Sequence, residues 1–88
     1  MDSTKEKVSQ KLSLVLHKVI REMTGAPDNG VNIEFMLGEK TIVFKINLNP
    51  EHRGRLIGSK GKNITALRDL VSAMSGSYGH RAVIDLVV

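Results

Sequence analysis

The apolar positions of this chain change period three times, and each change marks an element. From Ser3 to Met23, the residues Val8, Leu12, Val15, Leu16, Val19, Ile20 and Met23 recur at three- and four-residue intervals. That spacing lines one face of an α-helix. Ser3 with Glu6 has the form of a capping box, and Gly25 followed by Pro27 is a natural stop. An amphipathic helix over about 4–24 follows, its stripe read as core because so small a chain needs the burial. After the loop GAPDNG the period becomes two. Val31, Ile33, Phe35 and Leu37 alternate with Asn32 and Glu34, Gly38 and Glu39 turn the chain, and Ile42, Phe44, Ile46 and Leu48 alternate with Val43, Lys45 and Asn47. This predicts a β-hairpin over about 31–48.

Asn49-Pro50 then reads as a helix start, with asparagine capping free N–H groups and proline at the first helical position. The helix is short, since Gly58 follows closely. Past Gly61, helical spacing resumes with Ile64, Leu67, Leu70, Val71 and Met74 on one face and stops near Gly76. The last run, about 82–88, is β-rich, with Ile84 and Leu86 facing the core. Two helices between the second and last strands form a crossover, which sets those strands parallel. The expected fold is α+β in the order helix-strand-strand-helix-helix-strand. It is one domain over 1–88, a three-stranded mixed sheet with the 41–48 strand central and three helices on one face.

Composition narrows the setting. Eighty-eight residues allow one modest core, and with aromatics at 3% and no tryptophan it rests on Val, Ile and Leu. Without cysteine there is neither a disulfide nor a thiolate site. The opening MDSTKEK lacks the basic-then-apolar layout of a signal peptide, and no apolar run approaches the roughly eighteen residues of a membrane span. The expectation is a soluble, cytoplasmic protein with no membrane partner.

Charge is where the chain is uneven. The net charge is +4, yet the seventeen residues from His52 to Arg68 hold Arg53, Arg55, Lys60, Lys62 and Arg68 with no Asp or Glu. The remainder has 8 basic and 9 acidic residues. So the whole excess lies in one segment, the pattern of a polyanion site on an otherwise neutral domain.

That segment contains GSKG, Gly58 to Gly61. A second Gly-x-x-Gly, GSYG, lies at Gly76 to Gly79, and at a glycine frequency of roughly 7% one such pair is unremarkable in a chain this long. Context separates them. GSKG joins two helices, and the first turn of the second exposes unpartnered N–H groups with partial positive charge, where a phosphate can dock. Gly58 and Gly61, lacking Cβ, allow the approach and the sharp turn. Lys60 adds a cation at the tip, Lys62 and Arg55 extend the charge, and Ile57 and Ile64 anchor the loop and offer bases an apolar surface. GSYG closes a helix before a strand and reads as a turn only.

LIGSKGKNI resembles the signature of the KH domain, an Ile-Gly-x-x-Gly-x-x-Ile motif between two helices, whose GXXG loop clamps about four nucleotides. The helix-strand-strand lead-in matches the type-two, prokaryotic form. NPEHRGRLIGSKGKNITALRDLV further resembles the single-KH RNA-binding proteins of bacteria, the KhpA-like family, and the similarity runs along essentially the whole chain. The resemblance implies that Gly58, Ser59, Lys60 and Gly61 hold the backbone of single-stranded RNA, with Arg53 and Arg55 on phosphates nearby. Ile57, Ile64 and Leu67 would floor the groove, although Leu67 fits the core equally well. The last strand and the variable loop, Ser75 to Arg81, would form the far wall, where Tyr78 is either a base platform or an ordinary loop tyrosine. Arg68 suits the basic position of the second helix or a salt bridge to a neighbouring carboxylate. Lys62 completes the basic set. RNA chaperoning or post-transcriptional regulation is the implied role.

Other readings compete. His17, His52 and His80 show no metal spacing and no nucleophile partner, and counting five on from Gly54 lands on Ser59, so no P-loop forms. No enzyme, cofactor or metal is expected. A protein-interaction module is the stronger rival. The resemblance includes small KH proteins that act as homodimers or as heterodimers with another KH-domain protein; in this chain the N-terminal helix or the open sheet face at Val43, Val83 and Val87 could supply such a contact. Single-stranded DNA also stays open, because a backbone clamp alone does not choose between sugars.

Overall fold

The computed structural model describes residues 3–87, with side chains from Thr4 onward. In chain order it forms α1 (Ser3–Thr24), β1 (Val31–Leu37), β2 (Thr41–Leu48), α2 (Pro50–Ile57), α3 (Lys62–Gly76) and β3 (Arg81–Leu86), with 3-10 turns at Asp28–Gly30 and Ser59–Gly61.

α1 buries Val8, Leu12, Leu16 and Ile20, one residue per turn. Val19 and Met23 pack partly against that stripe. Val15, expected in the core, is 38% exposed, and Leu14 beside it is 75% exposed. At about 100° per residue, Val15 falls at the margin of the buried arc and Leu14 well outside it. The helix stops as its sequence predicts: Gly25 takes φ 74° and its N–H donates to the Arg21 carbonyl at 2.8 Å. The capping box proposed at Ser3 depends on a side chain outside the described residues.

β1 and β2 pair antiparallel, with Phe35 opposite Phe44. β2 and β3 pair parallel, with Phe44 beside Ile84. The order is β1-β2-β3, so β2 is central. The period-two pattern decides the faces. Ile42, Phe44, Ile46, Leu48 and Ile84 are buried in one core with Leu56 of α2 and Ile64, Leu67 and Val71 of α3. Asn32, Glu34, Lys45, Asn47 and Asp85 are exposed on the opposite, open face.

Three local expectations are corrected. Asn49 precedes α2 with φ −59° and ψ 144°, but its side chain makes no cap hydrogen bond. Its carbonyl accepts the His52 and Arg53 N–H groups instead, at 3.0 and 3.2 Å. Leu70 is 43% exposed; it sits about 40° beyond Met74 around the helix, past the buried arc. The variable loop is shorter than Ser75 to Arg81, because Ser75 and Gly76 finish α3 and Arg81 opens β3. β3 thus starts one residue before the predicted 82, and Val87 follows it with its N–H on the Ile46 carbonyl at 2.9 Å. Val88 lies outside the described residues.

Candidate nucleic-acid interface

The connection between α2 and α3 is built from unusual backbone. Gly58 has φ 77° and ψ 172°, Lys60 φ 57° and ψ 26°, and Gly61 φ 75° and ψ 16°. The two glycines are needed for different reasons. A Cβ on Gly58 would lie 2.7 Å from Asn63 Cγ and 2.9 Å from the Asn63 backbone nitrogen, so no side chain fits. A Cβ on Gly61 would meet nothing closer than Ile64 Cγ2 at 3.9 Å; there only the left-handed backbone favours glycine. Lys60 is the sole non-glycine with positive φ among the described residues, a conformation costing about 1–2 kcal/mol for an L-residue. Such strain persists where surrounding structure enforces it.

Four hydrogen bonds enforce it here. Gly58 N–H donates to the Gly54 carbonyl at 2.9 Å and closes α2. Gly61 N–H donates to the Gly58 carbonyl at 3.1 Å, and Lys62 N–H to that of Ser59. The fourth comes from a side chain that sequence reading missed: Asn63 Nδ2 donates to the Arg55 carbonyl at 2.9 Å. Asn63 thereby satisfies an end carbonyl of α2 and packs beneath Gly58. The sequence held one signal for it, an amide in the first turn after a helix whose last carbonyls lack partners. The amides of Gly61 and Lys62, counted in the sequence among the docking groups, are thus occupied by the turn itself. The two at its head, Ser59 and Lys60, have no partner within it.

The predicted site residues fall into three groups. Ser59, Lys60 and Lys62 are exposed at the connection, Arg55 is exposed on α2, and Arg68 is exposed further along α3. None of these cations makes an ion pair among the described residues, where the ion pairs are His17–Asp28, Arg21–Asp28 and His52–Glu51. The salt bridge considered for Arg68 is therefore not formed among the described residues.

The arginines of α2 diverge. Arg53 is half-buried and turns to the sheet, donating from Nη2 to the Leu48 carbonyl at 3.4 Å. Arg55 reaches the end of α1, with Nη1 3.7 Å from where a Cβ on Gly25 would stand.

The apolar residues also separate. Ile57 is half-buried and keeps accessible surface. Ile64, at 7% exposure, and Leu67, at 1%, are core. Tyr78 of the variable loop lies against α1, its hydroxyl 3.1 Å from Lys11 Nζ.

A Gly-x-x-Gly connection between two helices, in an order that sets β2 and β3 parallel beneath them, defines the class: a type-two KH domain. The comparisons place it more closely. Residues 14–86 match the family described as KhpA/KhpB, KH domain, and the chain belongs to that family. It is 33% identical over 76 residues to RNA-binding protein KhpA of Leifsonia xyli subsp. xyli, covering 86% of this chain and 96% of that protein. To RNA-binding protein KhpA of Clostridium acetobutylicum it is 25% identical over 73 residues, 83% of this chain and 96% of the other. To that of Aquifex aeolicus it is 32% identical over 57 residues, 65% of this chain and 72% of the other. No solved structure matches the chain.

Proposed function

We propose that the protein binds short single-stranded RNA in the groove beside GSKG, with little sequence stringency, and serves as an RNA chaperone or post-transcriptional regulator. The observation that carries this reading is the connection itself. Gly58 brings the chain so close to Asn63 that no side chain fits, and Lys60 is held left-handed at the tip among cations that form no ion pair among the described residues. A phosphate approaching the tip meets the Ser59 and Lys60 amides, with Lys60 and Lys62 supplying charge and Arg68 continuing it along α3. Ile57 gives a base an apolar surface. The names of the relatives, each an RNA-binding protein, support the same reading.

The test is Ser59→Asp with Lys60→Asp. Two carboxylates replace one ammonium at an exposed tip, and aspartate is among the few residues that tolerate left-handed backbone, so the fold survives. Binding to a fluorescent unstructured oligoribonucleotide should be lost while circular dichroism is unchanged; unaltered affinity rules the site out. An oligodeoxynucleotide of the same sequence shows whether 2′-hydroxyls contribute.

The exposed apolar strip of α1, at Leu14 and Val15, favours a second role beside the first: contact with another KH-domain chain, as homodimer or heterodimer. A single short groove binds weakly, and pairing two grooves raises avidity. Light scattering on the wild type and on Leu14→Glu checks it, since a dimer through this face should dissociate in the variant.

A further inference from the structure

By sequence, everything outside residues 52–68 sums to slightly acidic. The fold redistributes that charge. α1 runs in the same direction as β2: its N-terminal Lys5 donates to the carbonyls of Gly38 and, at 2.7 Å, of Glu39 in the β1–β2 connection, while Gly25 at its far end lies beside Arg55. α3 runs the opposite way, from GSKG to the 77–80 loop. The molecule, 40 Å in its longest dimension, therefore has a GSKG end and a loop end. The 22 residues of α1 span the two, about 33 Å at 1.5 Å per residue.

Three segments remote in sequence meet at the loop end. Lys5 ties α1 to the hairpin connection, Arg81 N–H donates to the Lys40 carbonyl at 3.3 Å, and Lys11 meets Tyr78. The first turns of α1, the connection and the start of β3, which meet here, carry the half-buried Lys5 and the exposed Lys7, Lys11, Lys40 and Arg81, against the exposed Glu6 and Glu39. None of the five cations is in an ion pair among the described residues. Tyr78 is 43% exposed, with Lys11 Nζ 5.7 Å from its ring centre. An exposed ring amid unpaired cations is the composition that holds single-stranded nucleic acid without regard to sequence.

We infer that the loop end is a second contact for single-stranded polynucleotide: a strand gripped at GSKG and long enough to run the length of α3 is held again by Lys7, Lys11, Lys40 and Arg81, with Tyr78 as a base platform. This rests on the groove reading above and adds a length requirement to it. At a stacked rise of about 3.4 Å per nucleotide, roughly ten nucleotides span the two ends. An acidic polypeptide would also answer the charge, but it makes no use of the exposed ring.

The experiment measures affinities of oligouridylates of about four and about twelve nucleotides for the full chain. Counting registers alone gives the longer one roughly a ninefold advantage; two linked contacts should give about a hundredfold. In Lys7→Ala/Lys11→Ala/Lys40→Ala, three exposed positions remote from GSKG, affinity for the short oligonucleotide should be unchanged. The advantage of the long one should fall to the register factor, and its log–log salt slope should drop by about 2. Lys7→Ala/Lys40→Ala, which leaves the Lys11–Tyr78 contact in place, should give an intermediate advantage. An advantage no larger than the register factor in the wild type overturns the inference, as does its full retention in the triple variant. So does polyglutamate binding that depends on these lysines while RNA binding does not. Failure of the groove reading looks different: the short oligonucleotide would then be indifferent to the Ser59/Lys60 double substitution.

Discussion

Replacing three glycines of the α2–α3 region one at a time with alanine should give three different signs or sizes of effect, worked from space and backbone alone. Gly58→Ala faces two costs. Its φ of 77° with ψ of 172° belongs to a region nearly exclusive to glycine, worth about 1–3 kcal/mol. Its new methyl would stand 2.9 Å from the Asn63 backbone nitrogen, which cannot rotate away as a side-chain tip does. Together they should cost about 3–4 kcal/mol. Gly61→Ala has space, with Ile64 Cγ2 at 3.9 Å, and bears only the left-handed penalty of about 1–2 kcal/mol. Gly54→Ala, inside α2 with nothing within 4 Å of the added methyl, should stabilise by about 0.5–1 kcal/mol through helix propensity. Urea unfolding followed by far-UV circular dichroism reads all three. The gap of about 2 kcal/mol between Gly58→Ala and Gly61→Ala corresponds to about 8–16 °C in Tm for a chain of this size. If Gly58→Ala is as mild as Gly61→Ala, the close approach to Asn63 is not what requires glycine there, and the account of the connection is wrong.

Other outcomes follow from the same geometry. Asn63→Ala removes the 2.9 Å bond to the Arg55 carbonyl and should cost about 1 kcal/mol, with RNA affinity falling further than stability because the connection loosens; chemical denaturation and anisotropy measure the two. Phe44→Ala, at a fully buried position, should cost about 3–5 kcal/mol, whereas Leu14→Ala, at 75% exposure, should change stability by less than about 0.5 kcal/mol. If two or three phosphates are neutralised in the groove, the log–log salt slope for a short single strand should be about −1.4 to −2, at roughly −0.7 per contact. A slope near zero would leave the basic cluster without a role in binding.

The layout was legible in the sequence wherever burial is decided by period. Ile42, Phe44, Ile46 and Leu48 alternate without a break, and all four are buried. Val8, Leu12, Leu16 and Ile20 mark the core stripe of α1 just as clearly. Residues at the edge of an arc were harder. Val15 and Leu70 are apolar and near the stripe, yet burial there depends on how far a neighbouring element reaches, which no local pattern encodes. GSKG stood out because its setting between helices demands special backbone, but its supports did not. Asn63 works through a contact eight residues back, and the asymmetry between Gly58 and Gly61 appears only when the space around each is known. Arg53 and Arg55 look equivalent in RGR, yet one turns to the sheet and the other to α1. The loop-end charge was invisible for a related reason. Lys5, Lys11, Lys40 and Arg81 are diluted along the chain by acidic neighbours and gathered only by the hairpin and the crossover.

The central claim is that the exposed amides at the head of the GSKG turn receive a nucleotide chain. Following backbone amide resonances during titration with an unstructured oligoribonucleotide tests it most directly. Ser59 and Lys60 should shift first and furthest, with Lys62 and Ile57 behind them and the open face around Asn32 and Asn47 still. Shifts confined to other surfaces, with Ser59 and Lys60 unmoved at saturation, would contradict it.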